Sequence, residues 1–106
     1  MLLVLKRLAG PVTGETYCLA FTGTVTVGRS NRCAVVLDGD ATVSRRHATL
    51  TACRGRKRAY ARLADAGSTN GTMVNGEPLA APRRLRPRDR ILIGSTELLV
   101  CGSARS

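Results

Sequence analysis

One stretch, DAGSTNGTMVNG from Asp65 to Gly76, limits what this chain can fold into more than any other. Two Asn-Gly pairs, Asn70-Gly71 and Asn75-Gly76, sit five residues apart, and Asn and Gly are the residues that tolerate φ > 0. The backbone must turn sharply twice, presenting the small hydrogen-bonding side chains of Ser68, Thr69 and Asn70 between the turns. A core strand would gain little from such a segment, which offers few apolar groups to bury and many donors and acceptors to satisfy. It reads as a loop that binds something.

The 106 residues suffice for one small domain with a single core. Aromatics are scarce (Tyr17, Phe21 and Tyr60), so the core must come from Val, Leu, Ile and Ala, a mix that favours sheet. Short apolar runs alternate with turn clusters along the whole chain. Expected strands are Leu2 to Leu8, Glu15 to Phe21, Thr24 to Val27, Ala34 to Leu37, the segment carrying Ala48, Leu50 and Ala52, Arg58 to Leu63, Thr72 to Val74, Glu77 to Leu79, Arg83 to Arg86, Arg90 to Ile93 and Thr96 to Cys101. No segment sustains a helical period with caps. The prediction is an all-β, two-layer antiparallel β-sandwich of about eleven short strands, with binding loops at one end. Residues 1–102 form the domain and 103–106 a flexible tail.

Charge narrows the partners. Seventeen Lys and Arg stand against seven Asp and Glu, a net +10, and all the basic residues but Lys6 and Lys57 are Arg. Partners should be anionic, and the planar fork of Arg suits phosphate better than the point charge of Lys. Base composition alone can enrich Arg and Ala, so an Arg outside a motif carries little weight by itself. The opening MLLVLKRLAG is not expected to act as an export signal, because its apolar run is short and precedes the Lys6-Arg7 pair. No apolar run is long enough to span a bilayer. The expectation is a soluble, cytoplasmic monomer that makes no membrane contact. Cys18, Cys33, Cys53 and Cys101 show neither a C-x-x-C pair nor zinc-ligand spacing, so they are expected as buried free thiols with no metal site.

Four loop features stand together, Gly28-Arg29, Ser44-Arg45-Arg46-His47, Ser68 to Gly71 and Asn75-Gly76, the last two within the stretch from Asp65, and Leu85 with Asp89, Ile91, Ile93 and Gly94 follows them. In this order and spacing they resemble the forkhead-associated (FHA) family of phosphothreonine-binding domains, an FHA/SMAD-like sandwich, over nearly the whole chain. Three positions depart from the family pattern: Ala66, where a larger residue is common; Met73, where an aromatic is common; and Arg88, where Gly usually precedes the Asp. None falls on an expected phosphate ligand.

The resemblance implies a module that binds phosphothreonine-containing protein segments in Ser/Thr kinase signalling, with no enzymatic activity and no cofactor. Its partner would be a phosphorylated kinase or kinase substrate. A phosphothreonine carries about −1.5 to −2 charges and three acceptor oxygens, so converging donors are required. Arg29, Ser44, Arg45, Ser68, Thr69 and Asn70 are the expected ligand-binding residues. Arg29 would hold the phosphate, Ser44 and Thr69 would add hydroxyls, Arg45 its backbone N–H, and Asn70 would hold the peptide main chain. Gly28, His47, Gly71 and Asn75 are read as structural support, and Asp65 and Asp89 as loop braces. Excess Arg at 32, 45 and 46 predicts a preference for acidic or further phosphorylated flanks.

Two other classes were weighed. A hydrolase using Ser44 and His47 lacks an acid partner, an oxyanion site and a G-x-S-x-G elbow. Nucleic-acid binding is the alternative reading: Arg84, Arg86, Arg88 and Arg90 recur at period two and would share one face of an unbroken strand, although Pro87 interrupts it, and Arg54 to Arg58 crowd a turn. The aromatics of a stacking platform are missing, so a solvated basic face is favoured over a nucleic-acid site.

Overall fold

Alternation of side chains sets the first strand of the computed structural model, which describes residues 1–11 and 13–104. Strand β1 (Leu2–Ala9) turns Leu3, Leu5 and Arg7 inward, because successive residues of a strand face opposite sides. The chain continues through β2 (Thr16–Ala20), β3 (Thr24–Gly28), β4 (Val35–Val36), β5 (Ala48–Arg54), β6 (Ala59–Asp65), β7 (Thr72–Val74), β8 (Glu77–Pro78), β9 (Arg83–Arg84), β10 (Arg90–Ile93) and β11 (Thr96–Ala104). The described residues contain no helix, and none therefore that could cross a membrane.

Two sheets result, one in the order β2-β1-β11-β10-β7-β8 and the other β4-β3-β5-β6-β9. Their facing sides meet in a core of Leu3, Leu5, Ile91, Ile93, Leu98 and Val100 against Val27, Val35, Leu37, Leu50 and Leu63, the aliphatic composition expected from the scarcity of aromatics. All ladders are antiparallel except β3 with β4, which pairs Val27 with Val35 and Gly28 with Val36 in parallel. After β3 the chain makes only the brief excursion 29–34, held by Cys33 N–H on the Ser30 carbonyl and Ala34 N–H on Thr26, and returns beside the strand it left. That excursion carries Arg29.

Register decides where the loops gather. Val27 pairs with Ala48, and Ala48 with Asp65; in the other sheet Ile93 pairs with both Thr72 and Thr96. The end of β3, the start of β5, the end of β6, the start of β7 and the β10–β11 turn therefore share one pole. The β5–β6 hairpin, closed at Arg54 and Ala59, lies at the other.

Three sequence expectations change. The arginines at 84, 86, 88 and 90 do not share a continuous strand face: β9 ends at Arg84, residues 86–89 turn, and β10 begins at Arg90. Arg88 sits there at φ 75, the left-handed conformation a glycine adopts without strain. Strand β11 pairs with β1 as far as Ala104, two residues into the expected tail, while Arg105 and Ser106 lie outside the described residues. All four cysteines are free thiols, but only Cys33 is buried; Cys18 and Cys101 are exposed because they fall on outward positions of their strands.

Candidate functional site

Gly28 ends β3 at the loop pole and Arg29 follows it, and the two residues do different work. A Cβ on Gly28 would fall onto the Arg45 carbonyl, so only glycine lets the 44–47 loop lie this close. The approach is laced by backbone bonds from Arg29 N–H to Ser44 O (3.0 Å) and Ser30 N–H to Arg45 O (3.1 Å). The Cys33 thiol donates to the same Arg45 carbonyl at 3.2 Å. Arg29 itself is exposed. Its Nε–H donates to the Val43 carbonyl at 3.0 Å, and its two terminal nitrogens bond to nothing among the described residues.

Ser44 joins this loop to the central one. Its Oγ accepts the Thr69 N–H at 3.1 Å, which leaves the hydroxyl proton to be donated elsewhere. Asn70 donates its Nδ2 to the Thr42 carbonyl at 2.8 Å, leaving its side-chain oxygen as an acceptor. Contacts from residue 29 to 43, from 44 to 69 and from 42 to 70 thus bring three distant segments into one cluster. The Arg45 N–H and the Thr69 hydroxyl are also uncommitted among the described residues, and both residues are exposed.

His47 is fully buried behind the cluster. Its Nδ1 accepts the Ser44 N–H at 3.1 Å, so the ring proton must be on Nε2, which donates to the Gly71 carbonyl at 2.7 Å. One ring thus bridges the 44–47 loop and the central loop at Gly71.

Asp65 organises the central loop from within. Its carboxylate accepts Gly67 N–H and Ser68 N–H, both at 2.9 Å, the Ser68 hydroxyl at 2.6 Å and the Thr72 hydroxyl at 2.7 Å. Burial alone would raise its pKa, but these bonds outweigh it and hold the carboxyl below its ordinary value. Ser68 is consequently turned inward: its hydroxyl donates to Asp65 and accepts Gly71 N–H at 2.9 Å, so it shapes the loop instead of meeting a ligand as expected. Asn75 also moves out of the site. Three strand residues separate it from Gly71, and it bonds to Asp89 and Arg90 at the far end of β7. There Asn75 (φ 52) and Gly76 (φ 82) make the expected two-residue hairpin.

Two residues that sequence reasoning missed complete the frame. Asp40, 2% exposed, accepts Thr42 N–H, the Thr42 hydroxyl, Ser95 N–H and the Thr96 hydroxyl, tying the loop under Arg29 to the β10–β11 turn. Desolvation pushes its pKa up, and the hydrogen bonds again prevail, leaving it below the ordinary value. Arg7 crosses between the sheets from β1, donating to the Asp38 carbonyl at 3.0 Å and the Tyr17 hydroxyl at 3.4 Å, with the exposed Asp38 carboxylate 3.6 Å away. Both had signals: Asp-x-Thr is the spacing at which an Asp side chain caps the N–H two residues on, and Arg7 continues the inward register of Leu3 and Leu5.

The arrangement is a rim of uncommitted donors, one of them a full positive charge, over a rigid hydrogen-bonded base. It can hold a multiply charged oxyanion. No cluster of His, Cys, Asp or Glu able to hold a metal occurs among the described residues.

Comparisons with known proteins agree with this geometry. The FHA domain family model matches residues 25–94. The chain is 41% identical over 98 residues to an oxoglutarate dehydrogenase inhibitor of Corynebacterium glutamicum, covering 92% of this chain and 62% of that protein. It therefore spans about three fifths of that relative's length. Among solved structures, it superimposes with a TM-score of 0.81 and 33% identity on an FHA domain with phosphothreonine-dependent interactions, over 99% of this chain and 100% of that one. The FHA domain of FhaA, in complex with the intracellular domain of Rv3910, gives a TM-score of 0.76 at 35% identity over 92% of this chain and 98% of that one.

Proposed function

The chain belongs to the forkhead-associated family, and from that premise we propose that it is a non-catalytic module that reversibly binds phosphothreonine-containing segments of a kinase or kinase substrate. The observation that carries the reading is the tethering of Arg29. Its Nε–H is held on the Val43 carbonyl, next in sequence to Ser44, whose Oγ accepts the Thr69 N–H, and its remaining guanidinium donors are uncommitted among the described residues. A phosphate with three acceptor oxygens is the ligand such a set fits, since a carboxylate would leave donors unmatched.

Arg29, Ser44, the Arg45 N–H and Thr69 hold the phosphate, while the free oxygen of Asn70 accepts an N–H from the peptide main chain. Ser68, Gly28, His47 and Gly71 position these groups. Residues 1–102 make up the recognition domain together with the last pairs of β11, and it acts as a monomer in the cytoplasm. Arg32, Arg45 and Arg46, all exposed at the same pole, favour acidic flanks.

Titration calorimetry with three peptides of one sequence, carrying phosphothreonine, phosphoserine or unmodified threonine, tests the reading. Binding should require the phosphate and favour phosphothreonine over phosphoserine. Equal affinity for the phosphorylated and unmodified peptides would overturn it.

A further inference from the structure

The pole opposite the recognition loops carries a second basic feature that phosphothreonine binding does not use. An open cleft of about 710 Å³ is lined by Arg56, Lys57 and Arg58 of the β5–β6 hairpin and by Arg84 of β9. Among the described residues, neither Arg56, Arg58 nor Arg84 is paired with a carboxylate; the arginine ion pairs lie elsewhere, at Arg7, Arg83 and Arg90. Arg62, the exposed register partner of Arg84 across β6 and β9, adds a further positive charge beside the cleft, and like charges placed opposite one another on a sheet repel. An anion held in the cleft by Arg84 reduces that repulsion.

From this cleft we infer a separate docking site for an acidic protein segment, one carrying closely spaced Asp and Glu carboxylates. The forks of Arg56, Arg58 and Arg84 suit bidentate pairing with carboxylates. Single-stranded nucleic acid fits less well, because no aromatic among the described residues lines the cleft for a base to stack on, and the nearby Tyr60 ring is already covered by the Arg84 guanidinium, 4.4 Å from its centroid. A lipid surface fits less well again, since the charges line a concavity that a flat bilayer does not enter.

Strand β5 runs the length between the two poles, and its residues 48–54 at about 3.3 Å each separate them by about 20 Å. A phosphopeptide with about four residues on each side of its phosphothreonine reaches only about 13 Å from the phosphate. Such a short peptide reports the Arg29 site alone. A longer partner with an acidic tract about ten residues from its phosphothreonine engages both sites; that two-point engagement, though not the acidic site itself, rests on the function proposed above.

The test uses four probes at low ionic strength: a labelled Glu/Asp-rich peptide of about twelve residues without phosphate, a labelled single-stranded oligonucleotide and a labelled short phosphothreonine peptide, all read by fluorescence anisotropy, and phosphatidylserine vesicles, read by co-sedimentation. Each is titrated with wild type, Arg29→Ala, and the triple variant Arg56→Ala/Arg58→Ala/Arg84→Ala. Wild type and Arg29→Ala should bind the acidic peptide equally, and the triple variant should bind it at least about tenfold more weakly. The triple variant should keep wild-type affinity for the short phosphothreonine peptide, which also proves it folded. Unchanged binding of the acidic peptide by the triple variant would overturn the site. Tighter binding of the oligonucleotide or the vesicles than of the acidic peptide would overturn the assigned chemistry. Failure of wild type to bind the short phosphopeptide would count against the proposed function only, so the two readings fail separately.

Discussion

Replacing Arg29 by Lys and by Ala separates geometry from charge at the phosphate. In the native chain the Nε–H is spent on the Val43 carbonyl, leaving two terminal nitrogens for the ligand. Charge-assisted hydrogen bonds contribute about 1.5–3 kcal/mol each, so the pair is worth about 3–6 kcal/mol, or about a hundredfold to ten-thousandfold in affinity. Arg29→Ala should therefore abolish detectable binding of a phosphothreonine peptide. Arg29→Lys keeps the charge but has neither a second donor in a fixed fork nor a group that can rest on Val43 while reaching the phosphate. It should lose about one of the two bonds, roughly 1.5–3 kcal/mol, and its residual binding should fall more steeply with salt, because an untethered exposed ammonium is screened more readily. Calorimetry at two ionic strengths, with thermal melts to confirm folding, measures both effects. Full affinity in Arg29→Lys would refute the argument that the guanidinium fork matters beyond its charge, and full affinity in Arg29→Ala would refute the site.

Ser44→Ala and Ser68→Ala should differ in kind: the first should weaken phosphopeptide binding about tenfold or more and, because the Thr69 N–H it releases is exposed and can turn to water, lower stability by less than the second, which should cost about 1–2 kcal/mol by leaving Gly71 N–H and Asp65 short of a partner, read by chemical denaturation. Arg88→Gly should stabilise the fold by about 1 kcal/mol, because it removes a side chain from a left-handed backbone position; a drop in the denaturation midpoint would contradict this. Asp40 and Asp65 have folded pKa values below the ordinary 3.8, so their ionised forms contribute stability that is fully present above that value and lost as pH falls through the depressed ones. Melting temperatures should drop below about pH 4, and Asp40→Asn/Asp65→Asn should be less stable at pH 7 with a shallower acid limb; parallel acid limbs would refute the assignment.

Much of this was legible in the chain because period-two alternation and turn chemistry are local signals. The strands alternate as the apolar residues do, and Asn75-Gly76 closes the hairpin its dipeptide demands. What the sequence left obscure depends on partners distant along the chain. Ser68 looks like any loop hydroxyl until Asp65 and Gly71 N–H are seen to claim both sides of it. Asn75 belongs to the same stretch as Asn70, yet a three-residue strand carries it to Asp89 and away from the rim. Arg7 reads as a solvent charge because burying a guanidinium is costly unless its donors are met, and the groups that meet its two terminal nitrogens, at 17 and 38, follow in two other segments, while its buried Nε has no partner among the described residues. The parallel β3–β4 pair was hidden for the same reason: a short excursion usually signals an antiparallel return.

The placement of acidic residues explains how the site stays both rigid and positive. Two carboxylates, Asp40 and Asp65, lie within the loop pole, where either could have neutralised Arg29. Each instead accepts four hydrogen bonds from backbone and hydroxyl donors of its own frame, and neither forms an ion pair with an arginine of the rim. Their charge is met by N–H and O–H dipoles and not by a rim guanidinium, so the loops are held by charge-assisted bonds while the terminal donors of Arg29 stay uncommitted for an incoming phosphate. Because those bonds already exist in the free protein, the ordering of residues 40–44 and 65–71 is part of the folding free energy and does not subtract from affinity. The Asp residues thus act through shape, and the rim Arg residues act through charge.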